Sequence, residues 1–287
     1  MNKILELIKF LTQAMINFNK HDGMVMAGHL AFLALLALFP FIIFLVSLAG
    51  LFGQSSAGTD ALENLFMAMP TDVSIILRGP IEKMISTTNK EIMTFSIIGA
   101  IWVSSSAIDA ARLAVVRAYS TVTRRGYIRR RAEGFLLVIL SASSIILGMA
   151  TLVFGPVIWN TIIKFIPIDA DWNLLWNVTR LLVSFSLIFA ALCLAYFVLK
   201  PRSLKLPAPV TSGALAALIL WMIVGNGFSI YLKYFGNYDV TYGSLAGAII
   251  ALVFFYFISA GFIVGAEINA ALYHRRLEKI EKNLPSD

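Results

Sequence analysis

Apolar and polar positions fall in long blocks along this chain. Six runs, at about 24–52, 92–119, 134–165, 174–199, 209–234 and 242–272, are dominated by apolar residues. At about 1.5 Å rise per residue, each could cross a hydrocarbon layer of roughly 30 Å as a helix. The pattern predicts an all-α polytopic membrane protein with six transmembrane helices, because in lipid a helix satisfies all its backbone polar groups within one segment. Residues 1–22 follow a different period. Apolar positions 4, 8, 11, 15 and 18 share one helical face, and Lys3, Glu6, Gln13, Asn17 and Lys20 lie opposite. This predicts an amphipathic helix at the membrane interface rather than a secretory signal, whose core would be apolar all round. A soluble helix packed under the bundle is the alternative.

The connections carry their own signals. Residues 54–90 form the longest polar stretch, in which Thr59 or Asp60 can cap a short helix with Leu62, Leu65, Phe66 and Met69 on one face. Pro70 and Gly79-Pro80 interrupt it, which predicts short helices lying across the outer mouth of the bundle. Pro40 and Gly155-Pro156 predict kinks in the first and third spans, and Pro209 suits the first turn of the fifth. In the closing span, Gly243, Gly247, Gly261 and Gly265 form flat faces that let a second backbone approach, in the bundle core or in a homo-oligomer. Residues 274–287 read as a polar tail.

Composition narrows the class. Hydrophobic residues make up 59% and charged residues 14%, against roughly 45–50% and about 25% in soluble domains. Nearly the whole chain is used by spans and connections, so 23–273 is one membrane domain. The 23 Lys and Arg divide 17 to 6, with 17 in the N-terminal segment, the second and fourth connections with their flanking helix ends, and the tail. By the positive-inside bias, both termini are expected to be cytoplasmic and residues 54–90 periplasmic. Arg124, Arg125, Arg129, Arg130 and Arg131 crowd the second connection and are expected to face anionic lipid headgroups. Positive-inside topology explains them without nucleic acid, and no nucleic-acid partner is expected. Cys193 is the single cysteine, so no intrachain disulfide can form.

Candidate chemistry lies in ionisable groups at membrane depth: His29, Asp109, Arg112 and Glu267. Such groups pair or face water because a lone charge in hydrocarbon is expensive. Ser105, Asp109 and Arg112 are spaced i, i+4, i+7 and share a face. With Arg117 and Asn269 they outline a polar site toward the cytoplasm, with Glu267 and Asp109 expected to face Arg112 or Arg117. A structural salt bridge fixing helix packing is the competing expectation. His21, His29 and His274 are scattered, and no metal, GxSxG or nucleotide-binding fingerprint is present. The expectation is a non-enzyme without metal or cofactor, in which any transport is passive, gradient-driven or powered by a partner.

Three segments, AGHLAFLALLALFPFIIFL (27–45), WVSSSAIDAARLAVVRAY (102–119) and FGNYDVTYGSLAGAIIALVFFYFISAGFIVGAEINAAL (235–272), resemble the YihY/BrkB family in order and spacing. His29 departs from it, standing where the family more often has a small residue. The resemblance implies a six-span bacterial inner-membrane protein. The family once carried the label ribonuclease BN, a tRNA-processing enzyme, a label since regarded as misplaced. Other members have been linked to serum resistance and envelope lipid export. Transport or flipping of an amphiphilic, lipid-like substrate is therefore the implied function, with a membrane scaffold, and after it the old ribonuclease, as alternatives.

Overall fold

In the computed structural model of the chain, the described residues are 2–53, 90–121, 126, 128, 130–137, 139–141, 143–144, 147–148, 151, 159, 171–235 and 246–283. All their regular structure is helical. The loop at 54–89, the Gly155-Pro156 break, Gly243, Arg124, Arg125 and Arg129 lie outside the described residues.

Six helices are described from end to end: α1 (Asn2–Lys20), α2 (Gly23–Gly53), α3 (Lys90–Ala118), α4 (Asp171–Leu199), α5 (Thr211–Phe235) and α6 (Ala246–Lys282). Residues 130–137 form a further helical stretch. Stretches within four helices are long and apolar enough to cross a membrane: Gly23–Pro40, Leu175–Leu199, Thr211–Tyr231 and Gly247–Lys282. Large apolar side chains such as Leu182, Ile223 and Phe257 point outward, whereas Ala27, Ala214, Ala217, Ala266 and Ala270 fill the interior. That arrangement suits a lipid surround, where tight helix approach replaces the hydrophobic drive for burial.

Two boundaries differ from expectation. Pro209 stands two residues ahead of α5, which opens at Thr211. The closing helix runs to Lys282, through much of the expected tail. Arg275, Arg276, Lys279 and Lys282 have high helix propensity, and cations near a C-terminus complement the helix dipole, so nothing in 273–282 ends the helix.

The chain forms two compact units, residues 1–32 with 107–287, and residues 33–106. Within the second, a Cβ built on Gly99 would lie 3.5 Å from Pro40 Cβ, so the two helix segments approach closely there. Ser106 Oγ donates to the Trp102 carbonyl at 3.1 Å, which satisfies a hydroxyl inside a helix.

The first unit is built on α6. Helices α1 and α5 pack against it, and α4 packs on α5. The α5–α6 contact depends on glycine at both centres. A Cβ on Gly213 would collide with the Gly265 carbonyl and the Asn269 side chain, and one on Gly265 would collide with Tyr196 Oη and the Gly213 carbonyl. Gly261 faces Trp221 and Leu220, whereas nothing stands within 4 Å of a Cβ built on Gly247. Trp221 Nε1 donates to the Ile258 carbonyl at 2.8 Å, and Tyr196 Oη to the Phe262 carbonyl at 2.7 Å.

Candidate functional site

The ends of several helices in the first unit meet in a network of charged side chains. It begins at the turn between α1 and α2. The backbone N–H of His21 donates to the Asn17 carbonyl, and Asp22 takes a left-handed conformation with φ 58°. Gly23 follows because a Cβ there would strike the Phe18 ring. The turn directs His21 inward, with Nδ1 2.8 Å from Glu267 Oε1 on α6. Glu267 is 1% exposed, and its Oε2 has no hydrogen-bond partner among the described residues. On the other side of the ring, Nε2 lies 3.4 Å from Ser120 Oγ. Ser120, just after α3, is itself left-handed with φ 51°. Asp22 Oδ2 and Arg117 Nη1 tie the same two turns together at 3.2 Å. Two non-glycine residues with positive φ facing one histidine mark a place where backbone strain is held by surrounding contacts.

A second centre forms around Glu133, in the helical stretch 130–137. Its Oε2 lies 3.1 Å from Arg112 Nη1 and its Oε1 3.0 Å from Arg202 Nη2. Arg112 is 2% exposed, and its Nε and Nη2 have no hydrogen-bond partner among the described residues. One carboxylate therefore serves a buried guanidinium on one side and a largely exposed one on the other. Nearby, Asp109 forms ion pairs with two arginines, its Oδ1 3.1 Å from Arg130 Nε and its Oδ2 3.6 Å from Arg131 Nη1.

The polar residues expected from the sequence are thus distributed over different partners. Asp109 meets Arg130 and Arg131 rather than Arg112, Arg117 meets Asp22, and Glu267 meets His21. The reason is spatial. Acidic and basic partners arrive from the starts and ends of other helices, where no helical spacing relates them to Asp109 or Glu267. Arg130 and Arg131, expected at headgroups, are engaged with this carboxylate. His29 is exposed on α2. Asn269 performs a helix-end role: its Oδ1 accepts from the Gly213 N–H at 2.8 Å and its Nδ2 donates to the Val210 carbonyl at 3.3 Å. A side chain of α6 thereby caps the N-terminus of α5. His21 and Glu133 escaped the sequence reading. Glu133 had a faint signal, as the first acid after the five arginines of 124–131.

Beside Glu133 lies a cavity of about 660 Å³. One wall is apolar, with Leu136, Leu140, Leu194 and Phe197, and the rim is the loop 200–208 with Lys200, Arg202 and Lys205. The loop is pinned where the Lys205 N–H donates to Tyr273 Oη at 3.1 Å, and where Pro201 and Ala208 are buried. Lys200 Nζ sits 4.5 Å from the Phe197 ring centroid, and burial lowers its pKa from the ordinary lysine value. Among the described residues, no three His, Cys, Asp or Glu side chains gather as a metal site.

The model of the family described as virulence factor BrkB matches residues 14–287. The chain belongs to that family. A BrkB-family match of this extent takes in both charged centres and the cavity. The chain is also similar to the putative ribonuclease-like protein YfkH of Bacillus subtilis, 29% identical over 269 residues that cover 94% of this chain and 97% of YfkH. A UPF0761 membrane protein of Chromohalobacter salexigens is 25% identical over 275 residues, covering 94% of this chain and 64% of that protein. A UPF0761 membrane protein of Vibrio campbellii is 30% identical over 137 residues, covering 48% of this chain and 42% of that protein. No solved structure matches the chain.

Proposed function

We propose that this BrkB-family membrane protein moves an amphiphilic, lipid-like molecule across the bacterial inner membrane. In this reading six helices span the bilayer, and both termini and the charged centres lie on the cytoplasmic side. The observation that carries it is the cavity of about 660 Å³, whose lining joins an apolar wall to a cationic rim. That volume lies within the range of small-molecule sites, roughly 300–1,000 Å³. A polar rim at the end of an apolar span also matches the depth at which a headgroup meets its chains. The ion pairs make the cost of charge near hydrocarbon bearable and leave Arg202 at the cavity edge. The names of the relatives add membrane location; the ribonuclease-like name belongs to YfkH.

A membrane scaffold is the second reading, favoured by the close pairing of Glu267 with His21. Reconstitution separates the two. Vesicles carrying a fluorescent-tailed phospholipid in both leaflets are treated with an impermeant quencher. Transport predicts that protein-bearing vesicles lose the inner-leaflet signal over time, whereas protein-free vesicles keep it. Equal curves with and without correctly folded protein would reject transport.

A further inference from the structure

The cavity beside Glu133 is lined by charged as well as apolar side chains. Among the described residues that line it, Lys200, Arg202 and Lys205 are cationic and Glu133 is the one anionic side chain. Glu133 is moreover shared with the buried Arg112 behind it. Arg202 and Lys205, both at exposed positions of the loop, present positive charge that an anionic occupant complements. The cations belong to a loop held by the Tyr273 hydroxyl, so little ordering is needed when a ligand arrives.

The apolar wall defines the rest of the occupant. Leu136, Leu140 and Phe197 line the cavity and remain exposed, and they continue the outward apolar surface of the spans. A small inorganic anion would leave that wall unused. A phosphate carrying an acyl chain would cover both surfaces.

We propose that this cavity binds the headgroup of an anionic phospholipid. Arg202 and Lys205 hold its phosphate, one acyl chain lies along Leu136, Leu140 and Phe197, and Glu133 is the internal carboxylate that the phosphate replaces on Arg202. The guanidinium fork of Arg202 takes carboxylate or phosphate oxygens in the same geometry, so the exchange needs no large rearrangement. Glu133 is not stranded by it, because Arg112 still holds its other oxygen at 3.1 Å. This deepens the proposed function by giving the amphiphile a negative headgroup, and it concerns binding, which can be measured apart from transport.

The test uses the purified full chain, delipidated in a neutral detergent and titrated with phosphatidylglycerol or phosphatidylcholine of identical chains. Bound lipid is counted by native mass spectrometry. Wild type is expected to retain one phosphatidylglycerol in preference to phosphatidylcholine. Arg202→Gln with Lys205→Gln, both at exposed positions, should weaken that retention roughly five-fold per charge removed and bring it toward the retention of phosphatidylcholine. Leu140→Trp, which fills the wall, should weaken phosphatidylglycerol as well. Equal retention of the two lipids by wild type, or undiminished phosphatidylglycerol binding by the double variant, would overturn the proposal. So would competition by glycerol phosphate as strong as by the lipid, since the ligand would then be a soluble phosphate. Selective retention without movement in the vesicle assay supports the site and counts against transport alone.

Discussion

His21 and Glu267 stand 246 positions apart in the chain and 2.8 Å apart in the structure. The contact joins the turn after α1 to the buried middle of the C-terminal helix. It gives the amphipathic first helix a fixed seat, because the same α1 buries Ala14 and Phe18 and packs along α6. Replacing His21 with Ala leaves Glu267 buried with neither carboxylate oxygen bonded to a described residue. A loss of about 1.5–3 kcal/mol is expected, the range for a hydrogen bond to a charged group. Thermal unfolding in detergent measures it. The double variant with Glu267→Gln should recover part of the loss, and additive effects would show that the two residues do not interact.

Glu133 and Arg112 form a pair in which removal of one member strands the other. Glu133→Ala leaves the Arg112 guanidinium buried without the carboxylate that pairs with it among the described residues, at a cost of about 3–5 kcal/mol. Arg112→Met combined with Glu133→Leu should be far less damaging than Glu133→Ala alone, since both charges then leave together. Comparing the three unfolding midpoints decides the matter. A double variant as unstable as the single one would mean that the pair is not the source of the cost.

By contrast, Asp22 and Arg117 are well exposed, with side chains 64% and 40% accessible. Exposed pairs of this kind contribute about 0–1 kcal/mol. Arg117→Gln should therefore shift the unfolding midpoint little. A shift as large as that of Glu133→Ala would show that this salt bridge, rather than His21, holds the two left-handed turns together.

The contact of α5 with α6 predicts an asymmetry among glycines. Gly213→Ala and Gly265→Ala each drive a methyl group into backbone of the facing helix, and overpacking of this kind costs about 1–3 kcal/mol. Gly247→Ala meets nothing within 4 Å and should be neutral or slightly stabilising, since alanine is the better helix former. The yield of folded protein after detergent extraction, together with its melting temperature, reports all three. Equal sensitivity at Gly247 would point to a partner helix at that face.

Asn269→Ala removes the acceptor for the Gly213 N–H and the donor for the Val210 carbonyl, with an expected loss of about 1–2 kcal/mol. Asn269→Asp keeps the acceptor and should retain more stability than Ala. If Asp proves no better than Ala in thermal unfolding, the contact to Val210 rather than the cap on Gly213 dominates.

Block-wise hydropathy made the helices legible, because a run of apolar residues in lipid has few alternatives to a helix. The described starts and ends of α2, α3 and α4 fall within a few residues of the sequence reading. The close contacts at Gly261 and Gly265 were legible too, since glycine repeated at helical spacing leaves a recess in one face. Asn269 was visible as a polar residue within an apolar helix, but its task was not. Capping requires the start of a second helix, and no local pattern shows which helix that will be.

The sequence by itself determined the class of the molecule and its long apolar helices. These follow from composition and from periodicity within single segments. The tertiary structure decided which charges meet: Glu267 with His21, Glu133 between Arg112 and Arg202, and Asp109 with Arg130 and Arg131. It also decided where the cationic loop and the apolar wall enclose a cavity. Helical period tells which face a residue occupies, whereas an ion pair between helices depends on which other helix end is brought against that face.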